Sequence, residues 1–423
     1  MMGIYRRPLS ESSAPGRGGC AVPGNFKTNH RSQERSGKFD LKRNPIKQNN
    51  RTVTERAQEK TTFFRREIWI GLGAGAYAVH LWLGRDSRLA EKFYSRGIYV
   101  GIRRIWDNTL GFSPIPLLYV ILFAAVVWVS CRIALFFFRK KSDHSLSFPR
   151  KIGRALLRVA SWIGFLLFFF YILWGFNYNR IGLEQQMKLE TEPLSLTTLA
   201  EEADWATRMT AEARASIPGS SAAALGAEFY PKNIESILRL SLTGILERMG
   251  YPAPGRVRIR LFQPGGWLMR FSSSGIFVPF FGEGYIAGNL LPFEMPFTMA
   301  HEMAHGYGIC EEGAANFLAF LTCESSAIPA IRYSGFLSYW SVLFAETRRL
   351  GPEAIKTLRE KIPDGMKADL RAEGENWRHF QGPLRRIGET INQNYLKSQG
   401  IQEGIRSYDR MVLLVAAWKK AAR

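Results

Sequence analysis

Apolar and polar positions divide the chain into three stretches with different periods. Residues 1–66 follow neither the helical nor the strand period, and their Ser, Asn, Gly and Pro content predicts a disordered basic tail. Residues 67–178 carry apolar runs too continuous for amphipathic elements. The first, Ile68–Leu83, is short and loosened by Gly71, Gly73 and Gly75. The second, Pro116–Phe138, is the strongest, with Arg132 as its charge near one end. The third, Ala155–Phe176, ends beside Trp174 and Tyr178, placed as interfacial anchors. These runs predict three membrane spans with an outer loop at 84–114. Beyond residue 179 the pattern becomes that of a soluble, mainly helical domain. Helical spacing covers Leu196–Ser216 and Asn233–Tyr251, and Val257–Phe262 alternates as a half-buried strand does. Gly275–Gly282 reads as a second strand, confined to a sheet edge by Pro279. Helical patterns return at Pro296–Gly306, Glu311–Leu321, Tyr333–Arg349, Pro352–Lys361, Arg385–Lys397 and Ile405–Ala421, the last too short to span a bilayer. The expected fold class is N-terminal transmembrane helices followed by a mainly α (α+β) domain over 179–423 with a small edge sheet.

Charge supports the membrane reading. The net charge of +21 would suggest nucleic acid, but residues 1–66 hold fifteen Lys and Arg against five acids, and Arg139–Arg158 holds seven against one. Both stretches flank apolar runs, so they belong on the cytoplasmic side of a bilayer, with the 84–114 loop and everything after Tyr178 outside. The basic residues lack interleaved aromatics, and no nucleic-acid partner is expected. The four cysteines, Cys20, Cys131, Cys310 and Cys323, form no spaced framework and read as packing residues.

The chemistry is concentrated at Phe297–Gly308. His301 and His305 lie one helical turn apart, so both can ligate one metal ion, and Glu302 sits to the side as the general base of a metal-assisted hydrolysis. Gly306 and Gly308 end the helix. A catalytic zinc takes three protein ligands and keeps one open position. Glu311 and Glu312 are the nearby candidates for the third, and Glu312 is preferred because it forms an i, i+4 pair with Asn316, which could hold a ligating histidine from the second shell. Tyr333 and Tyr408 are candidate donors to the oxyanion of a tetrahedral intermediate, weighed against ordinary packing.

The Glu312-x-x-Ala315-Asn316 run after HExxH resembles the signature of gluzincins such as the membrane-bound prenyl-protein endopeptidases, which implies Glu312 as third ligand. From about Ile68 the chain also resembles a bacterial family of three-span membrane proteins of unknown function with a C-terminal zincin-like domain. The motifs that carry this are Glu91–Tyr99, Leu173–Tyr178, Pro296–Glu302, Tyr333-Ser334-Gly335, Tyr395–Gly400 and Gly404–Tyr408. Two positions depart from that family: Ala314 stands where a second Glu is usual, and Gly306-Tyr307 where Gln and Arg are common. The resemblance implies a zinc metallopeptidase anchored in the bacterial cytoplasmic membrane, acting on a peptide or protein near its outer face. The alternative is a catalytically inactive metal-binding or scaffold protein of the envelope.

Overall fold

The computed structural model describes residues 67–138, 148–399, 401 and 410–422. The expected disordered tail over 1–66 and the candidate Tyr408 lie outside the described residues. Helix α1 covers residues 67–83. The outer loop is itself helical, running through Ser87–Leu89 and a π-helical Ala90–Ile98 into α2, Tyr99–Thr109. Two long apolar helices follow, α3 (Leu117–Phe138) and α4 (Phe148–Leu173). Their segments Leu117–Leu135 and Ile152–Leu173 are long and apolar enough to cross a membrane, and hardly any of that surface is covered by the rest of the chain.

The first expected span corresponds to α1, whose described residues 67–83 amount to about 26 Å of helix. The helix lies directly on α4. A Cβ at Gly73 would come within 2.5 Å of the Gly164 carbonyl oxygen, and one at Gly164 within 2.3 Å of the Trp69 carbonyl oxygen. Glycine at these two positions lets the backbones touch, the small-residue packing that joins helices in an apolar medium. The Trp69 indole then packs edge-on to Phe165 at 4.8 Å between ring centroids.

The remainder is mostly helical with one small sheet. Its helices are α5 (Leu196–Ala215), α6 (Ile234–Arg248), the short α7 (Gly266–Arg270), α8 (Met295–Gly306), α9 (Glu312–Glu324), α10 (Pro329–Glu346), α11 (Pro352–Glu360), α12 (Asp364–His379), α13 (Pro383–Ser398) and α14 (Arg410–Ala421). The strands are β1 (Arg258–Phe262), β2 (Gly275–Val278) and β3 (Glu283–Ala287), in the order β1-β3-β2. β1 runs parallel to β3 with Arg258 opposite Glu283, and β2 runs antiparallel to it with Gly275 opposite Ile286. β2 is an edge strand, as its neighbouring proline predicts, but it stops at Val278 rather than Gly282. α9 is the core: every residue from Glu312 to Cys323 is buried, against α6, α8, α10 and α14. α14 contributes Met411, Val412, Leu414 and Val415 to that same core, so it is a core helix and not a span.

The sheet meets the apolar helices through one carboxylate. Glu283 is fully buried and pairs with Arg258 at 3.0 Å and Arg260 at 3.4 Å. It also accepts from the Tyr285 hydroxyl at 2.6 Å and from the Leu117 amide at 3.1 Å. Two guanidinium groups and two further donors compensate its desolvation, and together they fasten the first turn of α3 to β1 and β3.

Candidate metal centre

α8 starts with Pro296 in its first turn, where a missing amide hydrogen costs nothing, and ends where Gly308 takes φ +85°, a left-handed turn that suits glycine. The chain then doubles back into α9. This reversal lays the first residue of α9 against the last two turns of α8. His301 Nε2 lies 3.0 Å from His305 Nε2, and Glu312 Oε2 lies 3.2 Å from the first and 3.4 Å from the second. Donor atoms about 2.0–2.2 Å from a tetrahedral ion stand about 3.3–3.6 Å apart, so this triangle is close to one face of a zinc-sized tetrahedron. His301, His305 and Glu312 thus form a buried group that could hold a metal ion. Glu311, the other candidate, turns away and pairs with Arg410 at 3.4 Å.

Electrostatics divides the three ligands. Burial lowers the pKa of His301, while the charge of Glu312 overcomes burial at His305 and raises it. Burial would raise Glu312, but the facing His305 and His301 outweigh it and hold the carboxyl down to about 2. His305 Nδ1 lies 2.7 Å from the Ile309 carbonyl oxygen; that acceptor fixes the proton on Nδ1 and leaves Nε2 free to ligate. His301 Nδ1 has no such acceptor. Asn316 lies beside that ring, and its hydrogen-bonding influence opposes the lowering by burial. The expected supporting residue thus stands next to His301, while a backbone carbonyl holds the other histidine.

Glu302 is the unusual group. It is fully buried, and neither carboxylate oxygen has a hydrogen-bond partner among the described residues. Burial pushes its pKa up to about 8. The sheet makes room for it, since a Cβ on Gly275 of β2 would fall 2.5 Å from Glu302 Oε1. A carboxylate held without partners beside three ligand atoms is suited to exchanging protons with something bound there.

The end of α8 is held from outside the domain. The Trp174 indole nitrogen donates to the His305 carbonyl at 2.7 Å, the Tyr99 hydroxyl to the Gly306 carbonyl at 2.7 Å, and Arg180 to the Gly308 carbonyl at 3.1 Å. Helix-terminal carbonyls lack partners within their own helix, and here the outer loop and the end of α4 supply them. Arg180 is in turn clamped by Glu91 at 3.0 Å. These caps were not among the sequence candidates; their signal was a cluster of Trp, Tyr, Asn and Arg right after an apolar run.

Tyr333 is not part of this group. Its hydroxyl donates to Asp369 at 2.7 Å, within a buried cluster where Asp369 also pairs with Arg214 at 2.8 Å and accepts from the Leu225 amide. The tyrosines beside the centre are Tyr178 and Tyr395, half-buried, with hydroxyls 3.0 Å apart. Tyr178 packs edge-on to Trp174, whose ring in turn lies 6.1 Å from that of His305. Burial raises the pKa of both, and the charge of Glu312 adds to it. Cys310 and Cys323 are buried thiols outside the ligand group, as packing residues are.

A model for a family of proteins of unknown function, DUF3810, matches residues 94–416. The chain belongs to the DUF3810 family. The match begins inside the outer loop, so the family unit includes the capping residues Tyr99, Trp174 and Arg180 as well as the ligand group. No curated protein and no solved structure matches the chain.

Proposed function

We propose that this DUF3810 protein is a membrane-anchored zinc metallopeptidase with a zincin-like domain. The observation that carries the reading is Glu302, whose two buried, unpartnered carboxylate oxygens stand beside His301, His305 and Glu312. Two imidazoles and a carboxylate are a donor set of catalytic zinc, and the near-tetrahedral spacing suits it. When bound, such an ion lowers the pKa of a water and polarises a peptide carbonyl. Glu302 would be the group that holds a proton taken from a water in the site and returns it to the leaving amine. His305 is kept in its ligating tautomer by the Ile309 carbonyl, and Glu312 balances the site's charge. β2, an edge strand beside Glu302, offers backbone groups to an extended peptide.

The anchor is α3 and α4, with α1 packed on α4 as a third membrane-embedded helix. The basic 139–158 link argues for its lying in the cytoplasm of a bacterial cell, and the domain then lies on the outer face of the cytoplasmic membrane. The contacts of Tyr99 and Arg103 with Gly306 and Gly282 support one side for the outer loop and the domain.

One observation favours a second reading, a structural metal site in an inactive envelope protein: the ligands and Glu302 are only 0–2% exposed. A purely structural site, however, has no use for a buried carboxylate without a hydrogen-bond partner among the described residues. The test is zinc content and peptide hydrolysis by the detergent-purified full chain and by Glu302→Gln. Equal zinc with hydrolysis reduced about 10²–10⁴-fold is expected. Equal hydrolysis in both refutes the mechanism, a zinc-free wild type refutes the site, and zinc without hydrolysis in the wild type selects the structural reading.

A further inference from the structure

α13 has two unlike faces. Gly388, Asn392 and Leu396, spaced four apart, are buried toward the domain, and Gly388 approaches so closely that a Cβ there would lie 2.2 Å from the Phe271 carbonyl oxygen. Ile387 and Ile391, one turn apart on the outward side, are 49% and 52% exposed. Exposed single aliphatic residues need no explanation, but these belong to a helix whose two ends are tied to the mouths of the candidate spans. At its C-terminal end the Tyr395 ring lies 6.2 Å from that of Phe170, and the Tyr171 hydroxyl donates to Gln399 at 3.4 Å; both partners sit in the last turns of the span segment that ends at Leu173. At its other end α13 packs on α7. The strand leading to α7 is held by Tyr119, which donates to the Leu261 carbonyl at 3.4 Å and belongs to the first turn of the Leu117–Leu135 segment. Trp267 on α7 is 52% exposed, and Leu261 is 48% exposed. Arg386 and Lys397 stand exposed on α13 itself. An apolar stripe with flanking cations and a nearby tryptophan is the composition of a helix lying in a membrane interface, where the cations meet anionic headgroups.

We propose that α13 and Trp267 are seated in the outer headgroup region of the bilayer, with Ile387 and Ile391 entering the acyl boundary, so that the helix carrying Tyr395 to the metal centre is a lipid-bound element. The partner is the lipid surface, preferentially an anionic one. The inference rests on the reading of α3 and α4 as membrane spans and does not depend on peptidase activity.

The experiment uses fluorescent labels on the full chain in nanodiscs of phosphatidylcholine and phosphatidylglycerol, holding one protein copy each, with nitroxides placed on the headgroup or deep in the acyl chain. Cys131, exposed on α3, is labelled after Cys20→Ser and reports the span. Ile391→Cys and Glu353→Cys are labelled one at a time after Cys131→Ser is added; Glu353 lies on α11, which packs against α5. The Cys131 label should respond most to the deep nitroxide, and the position-391 label to the shallow one, with at least about twofold quenching that grows with the phosphatidylglycerol fraction. The position-353 label should stay unchanged. Position 391 behaving like position 353, while Cys131 is quenched, overturns the proposal and leaves the spans intact. A Cys131 label untouched by the deep nitroxide overturns the spans and the proposal together. A position-391 label that lipid nitroxides leave unquenched in these single-copy discs, but that is quenched in discs holding a second, spin-labelled copy of the chain, assigns the face to self-association and overturns it as well.

Discussion

α8 and α9 are neighbours that meet in the candidate metal centre, yet their ends are held in different ways. α9 is enclosed on all sides by helices of its own domain, with Phe317, Leu318, Ala319 and Phe320 fully buried. α8 is buried in the same core but leans on the sheet through glycines, and its last carbonyls are bonded by Trp174 and Tyr99, which precede the domain in the chain, and by Arg180 at the domain's start. Burial of apolar surface thus fixes both helices, while directional hydrogen bonds from the N-terminal segments add a second hold at the His305 end of the site. The centre is a joint between two parts of the chain, and changes on the two sides of it should break different things.

The largest effect belongs to the α9 side. Phe317→Ala opens a cavity in a region with no slack and should cost about 3–5 kcal/mol of folding stability, measured by chemical denaturation, while the surviving folded protein keeps its metal stoichiometry. Next is the ligand itself. Glu312→Gln removes the charge that answers His305 and should lower metal affinity by at least about a hundredfold, seen by calorimetric titration of the metal-free chain, with a smaller change in the unfolding midpoint. If the two substitutions instead gave the same loss of folding and of metal together, the division between core and ligand would not exist.

On the α8 side the effects are smaller and should appear mainly in the metal. Trp174→Phe keeps most of the ring but removes one of two donors to the His305 carbonyl, which retains the Gly308 amide at 2.9 Å, whereas Tyr99→Phe takes the side-chain donor from the Gly306 carbonyl. Tyr99→Phe should cost about 1–3 kcal/mol of stability, because a buried acceptor is left unsatisfied, and Trp174→Phe about 1 kcal/mol. Both should also weaken metal binding about tenfold by freeing the end of the helix that carries His305. In a double-mutant cycle the pair should couple by about 0.5 kcal/mol or more, since they act on adjacent carbonyls. Simple additivity, with metal affinity unchanged, would show that the caps hold the fold and not the site.

What the sequence disclosed follows the same division. The spacing of His301, Glu302 and His305 is a local, helical fact, and Glu312 lies one tight turn away, so both survive translation into three dimensions. β3 escaped notice because all five of its residues are buried, which erases the alternation that marks a strand with one wet face. α12 escaped for the opposite reason: its buried positions include Asp369 and Glu373, carboxylates where an amphipathic pattern needs apolar residues. The caps from Tyr99 and Trp174 span 207 and 131 positions of chain, a separation at which no periodicity carries information. The glycines of α1 mislead for a simpler reason. They read as loosening, whereas Gly73 serves close packing on α4.

The smallest effect separates two tyrosines that a motif search treats alike. Tyr333 sits in a conspicuous Tyr-Ser-Gly run, but its hydroxyl is committed to Asp369, which keeps Arg214 and the Leu225 amide as partners when Tyr333 is changed. Tyr333→Phe should therefore lose about 1 kcal/mol of stability and leave metal affinity and turnover unaltered. Tyr395→Phe breaks a bond to Tyr178 in a pair that feels the charge of Glu312, and α13, which carries it, adds little to the core. Its stability cost should be no larger than that of Tyr333→Phe, while turnover, if Tyr395 reaches the substrate, falls with metal content unchanged. Parallel measurement of unfolding, metal content and hydrolysis in these two variants separates a hydroxyl that serves the fold from one that serves the centre, a difference that rests on three-dimensional neighbours and not on motif.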